Sequence, residues 1–406
     1  MAPFHYLLIT LVIIVSLIGH SKAATRVYFI AADEVTWDYA PMGTMGMDGG
    51  NMTSHMRMMN MDISASLYLT PSEATVGSQY KKAVYREYTD SGFNTLKPRE
   101  DKWIHLGLLG PVIRAEVGDI IQVMFRNHAS LPFSIHPHGV FYTPENEGVP
   151  RSDTTGMDGN LVPSGMTYTY EWMVPERAGP ASADPSSLVW MYHSHVDEVA
   201  DTNAGLVGPI IITRAGAARS ETDLMPTDVS REFILAYTIF DEGSSPYLDQ
   251  SVELFMPSGV DMDELMMNDE FNEGNLKHAI NGYLYANIQG LEMMVGEHVR
   301  WYVFGLGSEN DVHGAHWHGQ TLVESNHRVD ATEIIPASMK TLDMIPDNPG
   351  RWMLHCHTNH HIMAGMVGFF DVLPFEDSQC SGVSLLNLPH WFAVLLIVLV
   401  VLFAQS

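Results

Sequence analysis

The chain has 406 residues, 46% of them hydrophobic and 17% charged, so it is long enough for two domains with separate cores, and its composition excludes a disordered protein. Its 48 Asp and Glu residues outnumber its 21 Lys and Arg residues, which gives a formal net charge of -27. That charge excludes nucleic acid as a partner, because a phosphate backbone is bound by clustered cations, and it suits a surface that attracts metal ions.

The first 61 residues contain two segments of unusual composition. Residues 1–23 hold an apolar run, Phe4–Gly19, followed by small residues, which predicts a secretory signal peptide. Residues 42–61 are rich in Gly and Asn and contain His55 with Met42, Met45, Met47, Met52, Met56, Met58, Met59 and Met61. Thioethers prefer cuprous ion, so this Met-rich segment is either a Cu(I)-collecting loop or an insertion of biased composition in which Met serves as adaptable packing.

The region that follows has the composition of β-strands. Segments such as Val112–Phe125, Thr167–Val174 and Val299–Phe304 are rich in β-branched and aromatic residues, and clusters of Gly, Pro, Asn and Asp separate them. No long stretch has convincing helical periodicity. We therefore predict an all-β protein made of β-sandwich domains with Greek-key connections.

The two halves of this region repeat the same short motifs in the same order. His-x-His-Gly occurs at residues 136–139 and again at 316–319, and His-x-His occurs at 193–195 and again at 355–357. This repetition predicts a duplicated domain. We expect domain 1 over residues 24–214, a polar linker over 215–231 and domain 2 over 232–376.

The C-terminal residues 377–406 have the pattern of a lipid-anchor signal. Small and polar residues near Cys380 are followed by a spacer and by an apolar run, Trp391–Ala404, close to the end of the sequence. This run is shorter than the roughly 20 residues of a membrane span, so a glycolipid (GPI) anchor is favoured and a short single-pass anchor is the alternative. Together with the signal peptide and the sequon at residues 51–53, the tail predicts a glycoprotein at the extracellular face of the plasma membrane.

Four His-x-His pairs are the candidate metal ligands of this chain. Side chains two residues apart on a strand lie on the same face, so each pair presents both imidazoles together. One pair could line a polar pocket, but four pairs arranged twice in the same order favour metal binding. Cys356 stands inside the last pair and is followed by His361 and Met366, and His313 stands three residues before His316. A thiolate with two imidazoles and a methionine is the ligand set of a blue-copper electron-transfer site.

These motifs resemble the copper signatures of multicopper oxidases. The runs H-G-A-H-W-H-G from His313 and H-C-H-T-N-H-H-I-M-A-G-M from His355 are similar to the two C-terminal signatures, and H-P-H-G and H-S-H are similar to the two N-terminal ones. The segment His105–Asp119, with H-A-I-N-G from His278, resembles the ceruloplasmin and hephaestin branch. The resemblance implies two cupredoxin-like domains and an enzyme that passes single electrons from a reducing substrate to dioxygen, which becomes water.

The resemblance also implies a place for each of four copper ions. Type 1 copper falls on His313, Cys356, His361 and Met366. Type 2 copper falls on His136 and His316. The type 3 pair falls on His138, His193, His195, His318, His355 and His357. Ser194 holds the place in the first half that Cys356 holds in the second, and a hydroxyl cannot replace a thiolate on copper, so we expect no type 1 centre in domain 1.

The place of Cys356 between two type 3 ligands implies its catalytic role. Its sulfur would bind the copper that accepts electrons, while His355 and His357 bind the pair that reduces dioxygen, so an electron has a short covalent route. Because half of the cluster ligands come from each domain, we expect the cluster at an interface between domains. In similar two-domain oxidases that interface lies between chains, and three chains close a ring, so we expect a homotrimer.

Resemblance to the ceruloplasmin branch implies ferroxidase activity and a role in iron transport. Glu273 and His278 keep the spacing of the Glu and the His that bind iron in that branch. The aspartate that the branch has just before the second type 1 histidine is replaced by His360, and a further carboxylate of the branch comes from a domain outside this sequence. Asp269, Glu270 or a neighbouring chain could compensate.

Two other electron donors and one non-enzymatic function stay open. Laccase-like oxidation of phenols or aromatic amines requires an open apolar pocket beside His313 or His361, and pocket shape does not follow from one sequence. The Met-rich segment leaves cuprous oxidation open. A copper-binding or adhesive ectodomain without turnover would be expected to lose ligands, whereas this chain keeps the complete set.

Overall fold

The structure is a computed structural model, and it describes residues 23–44, 61–152 and 159–375. The signal peptide as far as residue 22, the sequon, nearly all of the Met-rich segment and the predicted anchor signal lie outside the described residues. The described residues through Leu373 form one compact unit. Within these ranges no helix has both the length and the apolar character that crossing a membrane requires.

The first half of the described chain forms two four-stranded sheets. Its strands are β1 (Thr25–Asp38), β2 (Gln79–Glu87), β3 (Ile113–Glu116), β4 (Ile120–Asn127), β5 (His136–Pro137), β6 (Thr167–Met173), β7 (Ser187–His193) and β8 (Val207–Thr213). The sheet orders are β2-β1-β4-β6 and β3-β8-β7-β5. Buried and half-buried residues alternate along β4, as in a strand with one face on a core. Phe125 on β4 and Ile210 on β8 belong to one buried cluster, so the two sheets pack face to face as a sandwich.

The second half forms a larger pair of sheets. Its strands are β9 (Arg231–Asp241), β10 (Leu276–Ile280), β11 (Glu292–Met294), β12 (Val299–Gly305), β13 (His313–Trp317), β14 (Leu322–Glu324), β15 (His327–Val329), β16 (Ala331–Ile334), β17 (Met339–Met344), β18 (Gly350–Cys356) and β19 (Val367–Leu373). The sheet orders are β10-β9-β12-β17-β14-β15 and β11-β19-β18-β13-β16. Trp301 on β12 and Phe370 on β19 share one buried cluster, so these sheets also form a sandwich.

The two halves contact each other through buried surfaces. β12 is buried along its whole length because its faces have different partners: Trp301 lies in the core of the second sandwich, whereas Tyr302 lies in a cluster with Ile211 of β8. A buried ion pair of Lys82 and Glu242 also joins the halves. β8 ends at Thr213 and β9 begins at Arg231, and the assignment of two domains on either side remains a prediction.

Six short α-helices occur in the described residues, and three of them support the site described below. The helices are α1 (Met61–Leu69), α2 (Glu198–Ala204), α3 (Leu248–Phe255), α4 (Met262–Leu265), α5 (Asp269–Gly274) and α6 (Asn359–Met363). α1 contacts both α5 and α6, and Tyr68, Phe271 and Ile362 from these helices share one buried cluster. Three distant parts of the chain therefore meet at one side of the second sandwich.

Candidate metal centres

Strand pairing and a short helix bring the predicted type 1 ligands together. Cys356 ends β18 and pairs with Ala315 of β13, which begins at His313, and α6 supplies His361 just after β18. The Cys356 Sγ atom lies 3.8 Å from His313 Nδ1 and 3.5 Å from His361 Nδ1, and the two nitrogens are 3.1 Å apart. Met366 is fully buried and its carbonyl accepts a hydrogen bond from the Cys356 amide at 3.0 Å. These four residues are called the Cys356 centre below.

The surroundings of the Cys356 centre favour a thiolate and hold one imidazole in place. Burial raises the pKa of the Cys356 thiol, but hydrogen bonds with His313, His361 and Thr358 outweigh burial and lower the pKa to about 5. His313 Nε2 lies 3.3 Å from the buried carboxylate of Asp311, which also accepts a hydrogen bond from the Ile239 amide at 2.7 Å. A carboxylate behind a ligating histidine orients the ring, as in known metal sites.

Four histidines of the first half lie together at the ends of two strands. His136 on β5 pairs with His193 on β7, and His138 Nε2 lies 3.2 Å from His193 Nε2. The ring of His195 is centred 5.3 Å from that of His136 and 5.5 Å from that of His193. Ligand atoms of His136, His138 and His193 all lie within 4.8 Å of one another. We call these four residues the N-terminal histidine set.

The second half repeats this arrangement. His316 on β13 pairs with His355 on β18, and the Nε2 atoms of His318 and His355 are 2.9 Å apart. The ring of His357 is centred 5.4 Å from that of His316 and 5.5 Å from that of His355. Ligand atoms of His316, His318 and His355 lie within 4.8 Å of one another. These four residues are the C-terminal histidine set.

Both sets are chemically suited to a metal. Burial lowers the pKa of His138 to about 4, of His193 to about 3 and of His355 to about 4, so these imidazoles are neutral at physiological pH and have a free lone pair. His193 Nδ1 lies 3.0 Å from the Ser194 carbonyl and His355 Nδ1 lies 2.8 Å from the Cys356 carbonyl. A carbonyl only accepts, so Nδ1 is protonated in both and Nε2 is left for a metal.

The two histidine sets do not meet within one chain. All eight residues are in the described ranges, and every ring contact among them joins members of the same half. Each chain therefore presents two separate groups of four imidazoles.

A third group of potential ligands lies beside the Cys356 centre. Glu273 on α5, His278 on β10 and His360 on α6 each offer a ligand atom within 4.8 Å of the others, and His360 Nε2 is 3.3 Å from Glu273 Oε1. The Tyr68 hydroxyl of α1 donates to Glu273 Oε1 at 2.6 Å. The ring of His278 is centred 5.0 Å from that of His361, so this group packs directly against the Cys356 centre. We call Glu273, His278 and His360 the cation site.

His278 is the buried member of the cation site. It is 2% exposed, and neither of its ring nitrogens has a hydrogen-bond partner in the described chain. Burial lowers its pKa to about 2, so the ring is neutral. A buried polar group without a partner is costly, and a bound cation would satisfy the lone pair of this ring.

Sequence reasoning identified two members of the cation site and missed two contributors. It treated His360 only as a lost aspartate, although its position next to His361 already indicated a place at the edge of the Cys356 centre. Nothing in the sequence pointed to Tyr68, which arrives on a helix two hundred residues away from Glu273 along the chain. The carboxylates Asp269 and Glu270 begin α5 on its exposed side and do not belong to the group.

The β-sandwich fold together with these donor sets is characteristic of a copper protein. Sequence models of multicopper oxidases match residues 96–216 and 255–376. The chain is 40% identical to Ferroxidase HEPHL1 of Mus musculus over 92% of its own length and 31% of that protein. It is 39% identical to hephaestin of Mus musculus (87% and 29%) and 40% identical to ceruloplasmin of Rattus norvegicus (88% and 32%). The chain belongs to the multicopper oxidase family, and it spans about a third of the length of these relatives.

Solved structures support the fold independently. A multicopper oxidase named mgLAC matches with a TM-score of 0.54 at 19% identity, over 88% of this chain and 90% of that one. A blue copper oxidase from Nitrosomonas europaea matches with a TM-score of 0.52 at 17% identity, over 86% of each chain. The predicted fold of cupredoxin-like sandwiches is confirmed, and family membership implies copper as the cofactor.

Proposed function

We propose that this protein is a ferroxidase that couples oxidation of Fe²⁺ to reduction of dioxygen. The balanced reaction takes four ferrous ions, one dioxygen and four protons to four ferric ions and two waters. The observation that carries the proposal is the cation site of Glu273, His278 and His360, whose buried histidine packs 5.0 Å from the ring of His361 in the Cys356 centre. A relative named ferroxidase is 40% identical to this chain over 92% of its length, which supports the same assignment.

The cation site has the parts that a ferrous substrate requires. A carboxylate and two imidazoles are suited to Fe²⁺, and the hydrogen bond from Tyr68 holds the Glu273 carboxylate in one orientation. The Glu273 side chain is 35% exposed and that of His360 is 62% exposed, so an ion can reach the site from solvent. His278 closes the inner side, towards His361.

The histidine and cysteine positions define four copper ions in this proposal. His313, Cys356, His361 and Met366 would hold type 1 copper, and His136 and His316 would hold type 2 copper. The type 3 pair would be held by His138, His193, His195, His318, His355 and His357. Bound copper would supply one-electron acceptance at the Cys356 centre and the site of dioxygen reduction at the cluster. Cys356 connects the two through the peptide bonds that join it to His355 and His357.

The separation of the two histidine sets supports a homotrimer. A cluster needs both sets, and in one chain their rings are not in contact, so the N-terminal set of one copy would meet the C-terminal set of the next. Such a contact joins two different surfaces, and cyclic closure satisfies every one of them. Three copies is the number that closes the ring in the similar two-domain oxidases, so we propose three copies here.

The sequence signals at the two ends suggest where the enzyme works. A signal peptide over residues 1–23 and an anchor signal over residues 377–406 would place it at the outer face of the plasma membrane, held by a glycolipid. Release from cells by a phosphatidylinositol-specific phospholipase C would support this placement. Retention after that treatment would favour the short single-pass anchor instead.

Oxygen consumption by the copper-loaded ectodomain tests the proposed function. We expect a strong preference for ferrous ion over 2,6-dimethoxyphenol, and we expect Glu273→Gln to lower the ratio of ferrous to phenolic turnover by at least about tenfold, because a ligand of the substrate ion is lost. Glu270→Gln is the matched control, since Glu270 lies exposed on the same helix and outside the cation site. A preference for the phenol that does not change in Glu273→Gln would establish a laccase-like enzyme in place of a ferroxidase.

A further inference from the structure

The cation site contains one carboxylate and two imidazoles, and His360 is its unexpected member. We propose that His360 is a ligand of this site and that its imidazole lets the site bind Zn²⁺ as well as Fe²⁺, so that Zn²⁺ competes with ferrous ion. This inference rests on the proposed function, because it names a second ion for the site at which the ferrous substrate would bind.

The geometry of the site indicates that His360 binds an ion together with Glu273. His360 Nε2 lies 3.3 Å from Glu273 Oε1, and the His360 ring is centred 5.2 Å from that of His278 at 84°. A contact between a His and a Glu that solvent reaches contributes little stability, so stability does not explain why both side chains lie against a buried ring. Among the described residues the His278 ring has no hydrogen-bond partner for either nitrogen, and a shared cation would supply one.

The chemistry of the donor set then decides which ions bind. An imidazole binds a metal ion through an unprotonated nitrogen, so as ligands the three groups would carry one negative charge, from the Glu273 carboxylate. Two histidines and one glutamate with an open position form a recognised set for zinc, and two histidines with one carboxylate also suit Fe²⁺. Zn²⁺ binds nitrogen-containing sites more tightly than Fe²⁺ does, following the order of first-row divalent ions.

Zinc bound at this site would act as a competitive inhibitor that the enzyme cannot oxidise. Zn²⁺ has no accessible change of oxidation state, so it cannot give an electron towards His361. None of the three ligands belongs to the Cys356 centre or to either histidine set, so zinc can bind without displacing copper. Oxidation of an organic donor that does not use the cation site should continue while zinc is bound.

Calorimetric titration of Zn²⁺ into the fully copper-loaded ectodomain tests the inference directly. We expect one zinc per chain, a weakening of at least about tenfold in His360→Ala and a smaller weakening in His360→Asp, which keeps a ligand at this position. His327→Ala is the matched control, because His327 is also exposed and lies outside all the groups described above. In wild type, Zn²⁺ should raise the apparent KM for ferrous ion, leave kcat unchanged and leave oxidation of 2,6-dimethoxyphenol unchanged.

The outcomes separate this inference from the proposed function. Zinc affinity that is equal in wild type and His360→Ala would overturn the inference, whereas ferrous preference and its dependence on Glu273 would be unaffected. Inhibition of ferrous and phenolic oxidation to the same degree would also overturn it, because zinc would then act on the copper sites. Zinc binding that depends on His360 in an enzyme that prefers phenols would support the site and contradict the ferroxidase.

Discussion

The two halves of this chain use the same strand-to-helix connection in different ways. In the second half Cys356 ends β18, and its Sγ faces His313 and His361. In the first half Ser194 follows β7, and its hydroxyl donates to Asp201 Oδ2 at 2.6 Å. The histidine that precedes each of these two residues pairs with the corresponding strand in both halves, His193 with His136 and His355 with His316.

The backbone around the two positions is closely matched. The Cys356 amide donates to the Met366 carbonyl at 3.0 Å, and the Ser194 amide donates to the Leu206 carbonyl at 3.1 Å. Leu206 therefore stands where the second half has Met366. Phe133 lies three residues before His136, as His313 lies three residues before His316, so Phe133 corresponds to His313. The helix α2 contains no histidine that would correspond to His361.

This comparison shows how a site can be removed while its scaffold is kept. Asp201 accepts hydrogen bonds from Ser194 Oγ and from the amides of Val196 and Asp197, and Ser194 Oγ accepts one from the Ser134 amide. In the first half, then, the side chain at this position is held by hydrogen bonds to a carboxylate and a backbone amide. In the second half the corresponding thiol faces two imidazoles. The histidines that face the other side of the strand are not affected.

Cys356→Ser makes the second half resemble the first at one atom, and it has the largest expected effect. The blue absorption of a thiolate–copper centre should disappear, and oxygen consumption with either donor should fall to background, because a hydroxyl cannot take the place of the thiolate. Absorption spectra, copper content and oxygen uptake measure these changes.

Ser194→Ala is the matched control for that variant. It alters the corresponding position in the first half, so the blue absorption per chain should remain. Circular dichroism would verify that both variants are folded. Turnover that survived in folded Cys356→Ser would contradict the assignment of Cys356 to electron transfer.

The intermediate effect is expected for Asp201, which stabilises the first half in a pH-dependent way. Burial raises the pKa of Asp201 to about 6, although hydrogen bonds from Ser194 and two amides oppose it. An acid whose pKa is higher in the folded state binds a proton more tightly there, so its contribution to stability is present when it is protonated and is lost as pH rises from about 4 to about 6.

Asp201→Asn should remove this dependence on pH. Between about pH 4 and pH 6, the free energy of unfolding of wild type should fall relative to that of the variant by up to about 1.4 kcal/mol for each pH unit. Urea denaturation at several pH values measures the difference. A difference that is constant across this range would show that Asp201 has the same pKa in the folded and unfolded chain.

Much of the candidate site could be predicted because its ligands follow strand geometry. A His-x-His pair on a strand presents both rings on one face, and the duplication repeats the pattern, so the eight histidines of the two sets could be named as candidate metal ligands from their spacing. Cys356, His361 and Met366 were predicted because a thiolate with an imidazole and a thioether close by in the sequence matches a blue-copper ligand set; the structure has Cys356 at the end of β18, His361 in α6 and Met366 between α6 and β19.

The remaining contributors could not be predicted because tertiary packing alone brings them close. Tyr68 reaches Glu273 only because α1 packs against α5. Asp311 and Asp201 are two among 48 acidic residues, and only burial and hydrogen bonding distinguish them from carboxylates on the surface. The replacements Phe133 and Leu206 look like ordinary core residues, as they are in the first half.

Ser194→Cys restores the thiol to the first half and has the smallest expected effect. The number of copper ions and the blue absorption per chain should not change, because Phe133, Leu206 and α2 provide no imidazole or thioether near the new sulfur. A thiol is a weaker hydrogen-bond partner for Asp201 than a hydroxyl, so the free energy of unfolding should fall by about 1 kcal/mol. Copper analysis measures the number of copper ions, absorption spectra measure the blue absorption, and urea denaturation measures the free energy of unfolding. A second blue centre in this variant would mean that the first half can still supply a ligand set, and that the loss of one sulfur atom alone separates the two halves.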